Sequence, residues 1–199
     1  MTSLRHIDRS DNAYLDAARA CLLDLGWRRT TLTEVARRAG VSRMTIYRTW
    51  PDMPSLLADL MTREWTQLMQ APDFALEIDD PAHLPGDDLV SRVVAIVRAL
   101  RDNELFVRIV EVDPELILPY LFSRRGRSQD LVLQLLVPAI RRGQKEGRFR
   151  AGDPAVIARG LLLTAHGFVL SAQTMLDDDV TEADLDHELA LVLTRSLAP

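Results

Sequence analysis

Apolar residues in this chain return every three or four positions almost throughout, and no stretch alternates as a half-buried strand would. The pattern predicts an all-α protein of about nine helices. Tyr14, Ala17, Ala18, Cys21, Leu22 and Leu25 mark a first helix, and Gly26 ends it as a C-cap glycine does. Thr31 and Glu34 make a capping box, the threonine hydroxyl taking the N3 amide and the glutamate reaching back. Val35, Ala36 and Ala39 give the short second helix its apolar side. Gly40 permits a tight turn, and Ser42 caps a third helix running to about Thr49. Pro51–Asp52 breaks the chain. Asp52 then caps a fourth helix with Leu56, Leu57, Leu60, Met61, Trp65, Leu68 and Met69 on one face. Residues 71–88, acidic and holding three prolines, read as a loop. Further helices are expected near 88–102, 104–112, 114–122, 127–146, 153–176 and 181–197, with Asp153–Pro154 and Thr181 with Asp184 as start signals for the last two.

Composition narrows the class. The 199 residues are long enough for one large domain or for a small domain joined to a larger one, and an apolar share of 47% is ample for a core. The single cysteine, Cys21, excludes a disulfide framework and fits a reducing, cytoplasmic compartment; it lies on the apolar stripe of the first helix and reads as core. The polar N-terminus has no signal-peptide run. The longest apolar tract, "GLLLTAHGFVLSAQTML" at 160–176, is shorter than the roughly 20 residues of a membrane span and contains His166 and Gln173, so it reads as a buried helix and no membrane is expected.

Charge is unevenly placed. Residues 1–63 hold ten arginines and seven acids, net +3, whereas residues 64–199 carry net −8. A basic head on an acidic body predicts that the head alone meets a polyanion. No nucleophile–histidine–acid set, metal-ligand spacing or glycine-rich phosphate loop is present. Asp177–Asp179 lacks the glycine and terminal glutamate of a calcium loop. No enzyme, cofactor or metal is expected.

The chemistry lies in "TLTEVARRAGVSRMTIYRTW" at 31–50. Two short helices joined by a glycine turn form a helix-turn-helix. Small Ala36 and Ala39 let the helices approach, and Val41 and Ile46 pin them to the core. The helix starts at Thr31 and Ser42 offer amides to phosphates. Arg43, Met44, Thr45, Tyr47 and Arg48 remain outward; arginine can pair bidentately with guanine, and threonine or methionine can meet a thymine methyl. Arg37 and Arg38 are either a solvated face or phosphate contacts, and Trp50 reads as core.

"GWRRTTLTEVARRAGVSRMTIYRTW", continued by "PDMPSLLADLM", resembles the DNA-binding domain of the TetR family of bacterial transcriptional regulators. The likeness covers about 50 residues; the rest agrees in helical architecture alone. It implies a helix-turn-helix domain over 1–53 and a ligand-sensing and dimerisation domain over 54–199. It further implies phosphate or base contacts from Thr31 and Thr33, base reading by Arg43, Met44 and Thr45, and a phosphate contact from Tyr47. Thr49 stands where a histidine or tyrosine is usual, and Met53 where many members have a phosphate-binding lysine, a charge that Arg48 or Arg28 would then supply.

The resemblance also implies a homodimer on a pseudo-palindromic operator in double-stranded DNA, joined through the last two helices. The small residues Gly160, Thr164, Gly167 and Ser171, with Leu185, Leu189 and Val192, are its expected seam. A small apolar effector in the body would release the operator, making the protein a repressor, with helix 4 transmitting the change. Trp65, Met69, Phe106, Tyr120, Phe122 and His166 are candidate liners, chosen as large or polar-tipped groups. The alternative is a DNA-binding regulator with no small-molecule ligand, acting through a protein partner.

Overall fold

A computed structural model describes residues 9–70 and 86–199. Among them are ten α-helices, three short 3-10 turns and no strand. The helices are α1 (Arg9–Leu25), α2 (Leu32–Arg38), α3 (Arg43–Thr49), α4 (Met53–Gln70), α5 (Gly86–Arg101), α6 (Glu104–Val112), α7 (Leu118–Phe122), α8 (Arg127–Lys145), α9 (Pro154–Ser171) and α10 (Glu182–Leu197). The ten correspond one for one to the helical segments read from the sequence, one more than the count of about nine. The segment expected over 114–122 divides into a 3-10 turn at Pro114–Leu116 and the five-residue α7. α9 is shorter than expected, its tail being the 3-10 turn Ala172–Met175. Of the loop expected over 71–88, residues 71–85 lie outside the described set and the remainder begins α5.

Contacts divide the chain into two compact units, one holding residues up to Glu64 with Glu104–Ser123, the other Trp65–Asn103 with Arg124–Pro199. The first therefore takes in α6 and α7 along with α1–α3 and most of α4. Its core is Leu15, Cys21, Val35, Ile46, Trp50 and Leu60, joined by Leu105 and Ile109 of α6. The Trp50 indole stands edge-on to Tyr14 at 6.4 Å and donates its N–H to Asp59 at 2.8 Å, so a buried aromatic keeps its polar atom satisfied. Gly26 ends α1 at φ 77°, a left-handed conformation that glycine adopts without strain. The next amide, of Trp27, donates to the buried Asp113 at 2.9 Å. Ion pairs Arg28–Glu115 (3.1 Å) and Arg19–Glu104 (3.5 Å) tie the same segment to α1 and its end.

In the second unit α9 packs on α8 and α5, and α10 on α5. Leu136, Ile140, Ile157, Leu161, Leu189 and Leu193 form the centre of its core. α9 is not the buried helix expected: most of the stretch Pro154–Met175 is not buried within the chain, although it is long and apolar enough to cross a membrane. One side packs inward through Ile157, Ala158, Leu161 and Ala165, and the other leaves Val156 and Leu163 exposed.

Gly143 shows why a glycine can sit inside a helix here. Beyond α8, Gly147 (φ 69°) reverses the chain, and the amides of Arg148 and Phe149 return to the Gly143 carbonyl at 2.8 and 3.1 Å. The buried Phe149 ring then lies where a side chain on Gly143 would be, 2.1 Å from an added Cβ. In an open helix, Gly→Ala gains about 1 kcal/mol. Here overpacking dominates, and Gly143→Ala is expected to cost about 1–3 kcal/mol in urea unfolding. A stabilised variant would show that Phe149 moves aside freely.

Candidate nucleic-acid interface and effector cavity

The helix-turn-helix is built from local capping. The Thr31 hydroxyl accepts from the Glu34 amide at 3.2 Å, starting α2. Glu34 does not reach back as a capping box requires. Both its oxygens are taken by Arg37, at 3.0 and 2.6 Å, because the i,i+3 guanidinium offers a charge-assisted pair. That hydrogen bond holds the Glu34 carboxyl below its ordinary pKa. Ala39 closes α2, Gly40 turns at φ 68°, and the Val41 amide returns to the Ala36 carbonyl at 3.0 Å. Ser42 caps α3 by accepting from the Thr45 amide at 3.2 Å, and its hydroxyl meets that of Thr45 at 2.9 Å. Asp52 accepts from the Ser55 amide at 2.8 Å where α4 begins, and hydrogen bonds from the side chain and backbone of Ser55 hold its carboxyl below the usual range.

Ile46 fixes the inner face of α3, being wholly buried, so the residues around it face out. Arg43 and Arg48 are exposed, Met44 is 75% exposed and Tyr47 46%, and Thr45 and Thr49 are half-buried. Thr49 donates back to the Thr45 carbonyl at 3.4 Å. Thr31 and Thr33 are exposed at the start of α2. The arginines fall into two groups. Arg37 pairs with Glu34, Arg38 with Asp24 at 2.6 Å, and Arg28 with Glu115. Arg43 and Arg48 have no carboxylate partner among the described residues. Met53 is half-buried against the core of the first unit, which accounts for an apolar residue there.

The second unit holds an apolar cavity of about 80 Å³, partly open at the surface. Its wall comes from α5, α8 and α9, with Trp65 and Met69 from the end of α4. Among the described residues, His166 and Arg92 are the only lining residues with polar side-chain groups other than Trp65, and the surface these residues line is almost wholly carbon. Burial holds the His166 imidazole below its ordinary pKa, hence neutral near pH 7. Of six expected liners, Trp65, Met69 and His166 come together here. Phe106, Tyr120 and Phe122 do not line the cavity: they sit on α6 and α7 in the other unit, and Phe122 is 81% exposed. Size alone did not tell which way those helices face. Apart from Arg92, the residues missed were aliphatic, such as Val93, Ile96 and Leu136, whose signal is the apolar face of α5 and α8.

The expected seam divides as well. Gly160, Gly167 and Ser171 are exposed, Thr164 half-buried, and the exposed Val156 and Leu163 share their side of α9 at the same spacing of four, three and four. On α10, Val192 is exposed and Leu185 half-buried, but Leu189 is fully buried in this chain's own core and cannot meet a partner.

Comparison with known proteins agrees with this architecture. Residues 15–60 match bacterial regulatory proteins of the tetR family. An HTH-type transcriptional regulator of Mycobacterium tuberculosis is 34% identical over 190 residues, spanning 92% of this chain and 94% of the relative. SmeT, the repressor of the Stenotrophomonas maltophilia multidrug efflux pump SmeDEF, is similar in fold, with a TM-score of 0.64 at 24% identity over 94% of this chain and 90% of SmeT. SmeT in complex with triclosan aligns at TM-score 0.62, with 23% identity over 96% of this chain and 93% of that one. RolR in complex with resorcinol also aligns, at TM-score 0.64 and 18% identity over 95% of this chain and 87% of RolR. Full-length kinship at that identity, joined to a capped helix-turn-helix with an outward arginine face, makes this chain a member of the tetR family of bacterial transcriptional regulators.

Proposed function

We propose that the protein is a homodimeric repressor that holds a pseudo-palindromic operator and releases it when a small apolar molecule fills its cavity. The observation that carries this reading is the course of α4. Its first turns, through Leu56, Leu57 and Leu60, belong to the core beneath the helix-turn-helix, and its end supplies Trp65 and Met69 to the cavity wall. A ligand that favours one placement of Trp65 and Met69 thereby favours one placement of the reading helix, and DNA affinity falls by the same coupling factor. The complexes of SmeT with triclosan and RolR with resorcinol support a compact, ring-bearing effector.

On the DNA side, Arg43, Met44 and Thr45 would read bases, with Thr31, Thr33, Tyr47, Arg48 and Thr49 on phosphates or nearby bases. Arg48, with no acid beside it among the described residues, supplies the charge that Met53 cannot, whereas Arg28 is held by Glu115. One α3 reads too few base pairs for specificity, so two copies related by a dyad would sit about one DNA turn (~34–36 Å) or more apart. The exposed apolar side of α9 together with Val192 would join them. A second reading, a regulator answering to a protein partner, draws on the exposed run Val112, Leu118, Leu121 and Phe122.

Genomic fragments selected by the purified protein would give the operator for a gel-shift titration. Arg48→Ala is expected to weaken all sequences alike and to lower the salt slope by about one. Arg43→Ala should instead lose about tenfold in discrimination at a single base position. An unchanged salt slope for Arg48→Ala would remove it from the phosphate contacts, and a selection that enriches no fragment would refute operator binding.

A further inference from the structure

We infer that the cavity takes an uncharged, largely apolar molecule bearing one hydroxyl, and that the imidazole of His166 is the group that reads it. This rests on the cavity being the effector site proposed above. The wall offers a charged ligand nothing in return for its lost hydration, since its surface is almost wholly carbon. Arg92, the one charged lining residue among those described, is already engaged within the protein.

His166 differs. Neither ring nitrogen has a hydrogen-bond partner among the described residues. Half-buried on α9 and neutral, the ring keeps one N–H donor and one bare acceptor nitrogen. No hydrogen bond fixes which way the ring is flipped. A half-turn about the Cβ–Cγ bond exchanges carbon for nitrogen at the cavity surface, and this torsion is broad and roughly two-fold. The wall can thus stay apolar when empty and present a nitrogen when a ligand brings a hydroxyl. A ligand without one forgoes that hydrogen bond; a carboxylate brings a charge that a neutral imidazole cannot balance. Trp65 and Met69, on the α4 side of the same cavity, suit the carbon body of the ligand.

The test uses three probes of one shape, para-propylphenol, propylbenzene and para-propylbenzoate, titrated calorimetrically into the full chain near neutral pH. The phenol should bind about five- to tenfold more tightly than propylbenzene, the net worth of one neutral hydrogen bond. The benzoate should bind at least about a hundredfold more weakly than the phenol. His166→Phe should erase the preference for the phenol while keeping affinity for propylbenzene, and His166→Gln should keep the preference. A benzoate that binds as well as the phenol, or a preference that survives His166→Phe, would overturn the inference and leave the effector cavity standing. Binding of none of the three would overturn the cavity as effector site, and this inference with it.

Discussion

Asp186→Ala is expected to destabilise the protein by about 3–5 kcal/mol, the usual cost of leaving a buried charge without its partner. Asp186 on α10 is buried; one of its oxygens accepts from Arg101, and the other accepts from Nε and Nη2 of Arg98 at 2.9 and 2.8 Å. The Arg98 side chain is 58% exposed and can turn to water, but Arg101 is 3% exposed. Arg101 already has two buried guanidinium nitrogens, Nε and Nη1, with no hydrogen-bond partner among the described residues. Removing the carboxylate therefore strands a cation that cannot rehydrate without opening the contact between α5 and α10. The double variant Arg101→Leu/Asp186→Leu should recover most of the loss, because an apolar pair of similar volume has no charge to desolvate. Urea unfolding followed by circular dichroism gives both values. A loss below about 1 kcal/mol for Asp186→Ala would show that water reaches Arg101.

That pair was invisible in the sequence, and the reason is general. Asp186 and Arg101 are 85 residues apart, and each sits among other charges that read as solvated faces. What could be read was local. Helix starts at Thr31, Ser42, Asp52, Asp153 and Thr181 depend on a side chain bonding an amide two or three residues on, and each cap is present. Even there, Glu34 had two partners within reach and took Arg37.

The outward set on α3 was legible because Ile46 must be inward, and a helical period then fixes its neighbours. The cavity was half legible. An apolar stripe says that a face is covered but not by what, so Trp65, Met69 and His166 could not be separated from Phe106, Tyr120 and Phe122. Leu189 and Val192 present the same ambiguity on α10. They are less than one turn apart, yet one is wholly buried and the other 37% exposed.

Leu163→Asp is expected to turn the proposed dimer into monomers and to weaken its hold on a two-fold operator by about a hundredfold or more. Leu163 is 70% exposed in the single chain, so a carboxylate there should keep its water and change the stability of the isolated fold by no more than about 0.5 kcal/mol. In a dimer built on the Val156, Gly160, Leu163 and Gly167 side of α9 the same carboxylate would be buried near its own copy. Two like charges out of water oppose association far more than one lost leucine contact does. Operator affinity then falls because the second head no longer binds as part of one molecule. Linked heads gain about 10²–10⁴ in affinity over separate ones, and that factor is what the monomer forfeits. Mass measured in solution and a gel shift on the selected operator test both steps, with Val112→Asp, on the exposed run of the first unit, as the control for an added charge. A Leu163→Asp protein that stays dimeric and binds the operator as tightly as the parent would exclude this side of α9 as the subunit interface. A monomer that still binds at full affinity would exclude the two-fold operator instead.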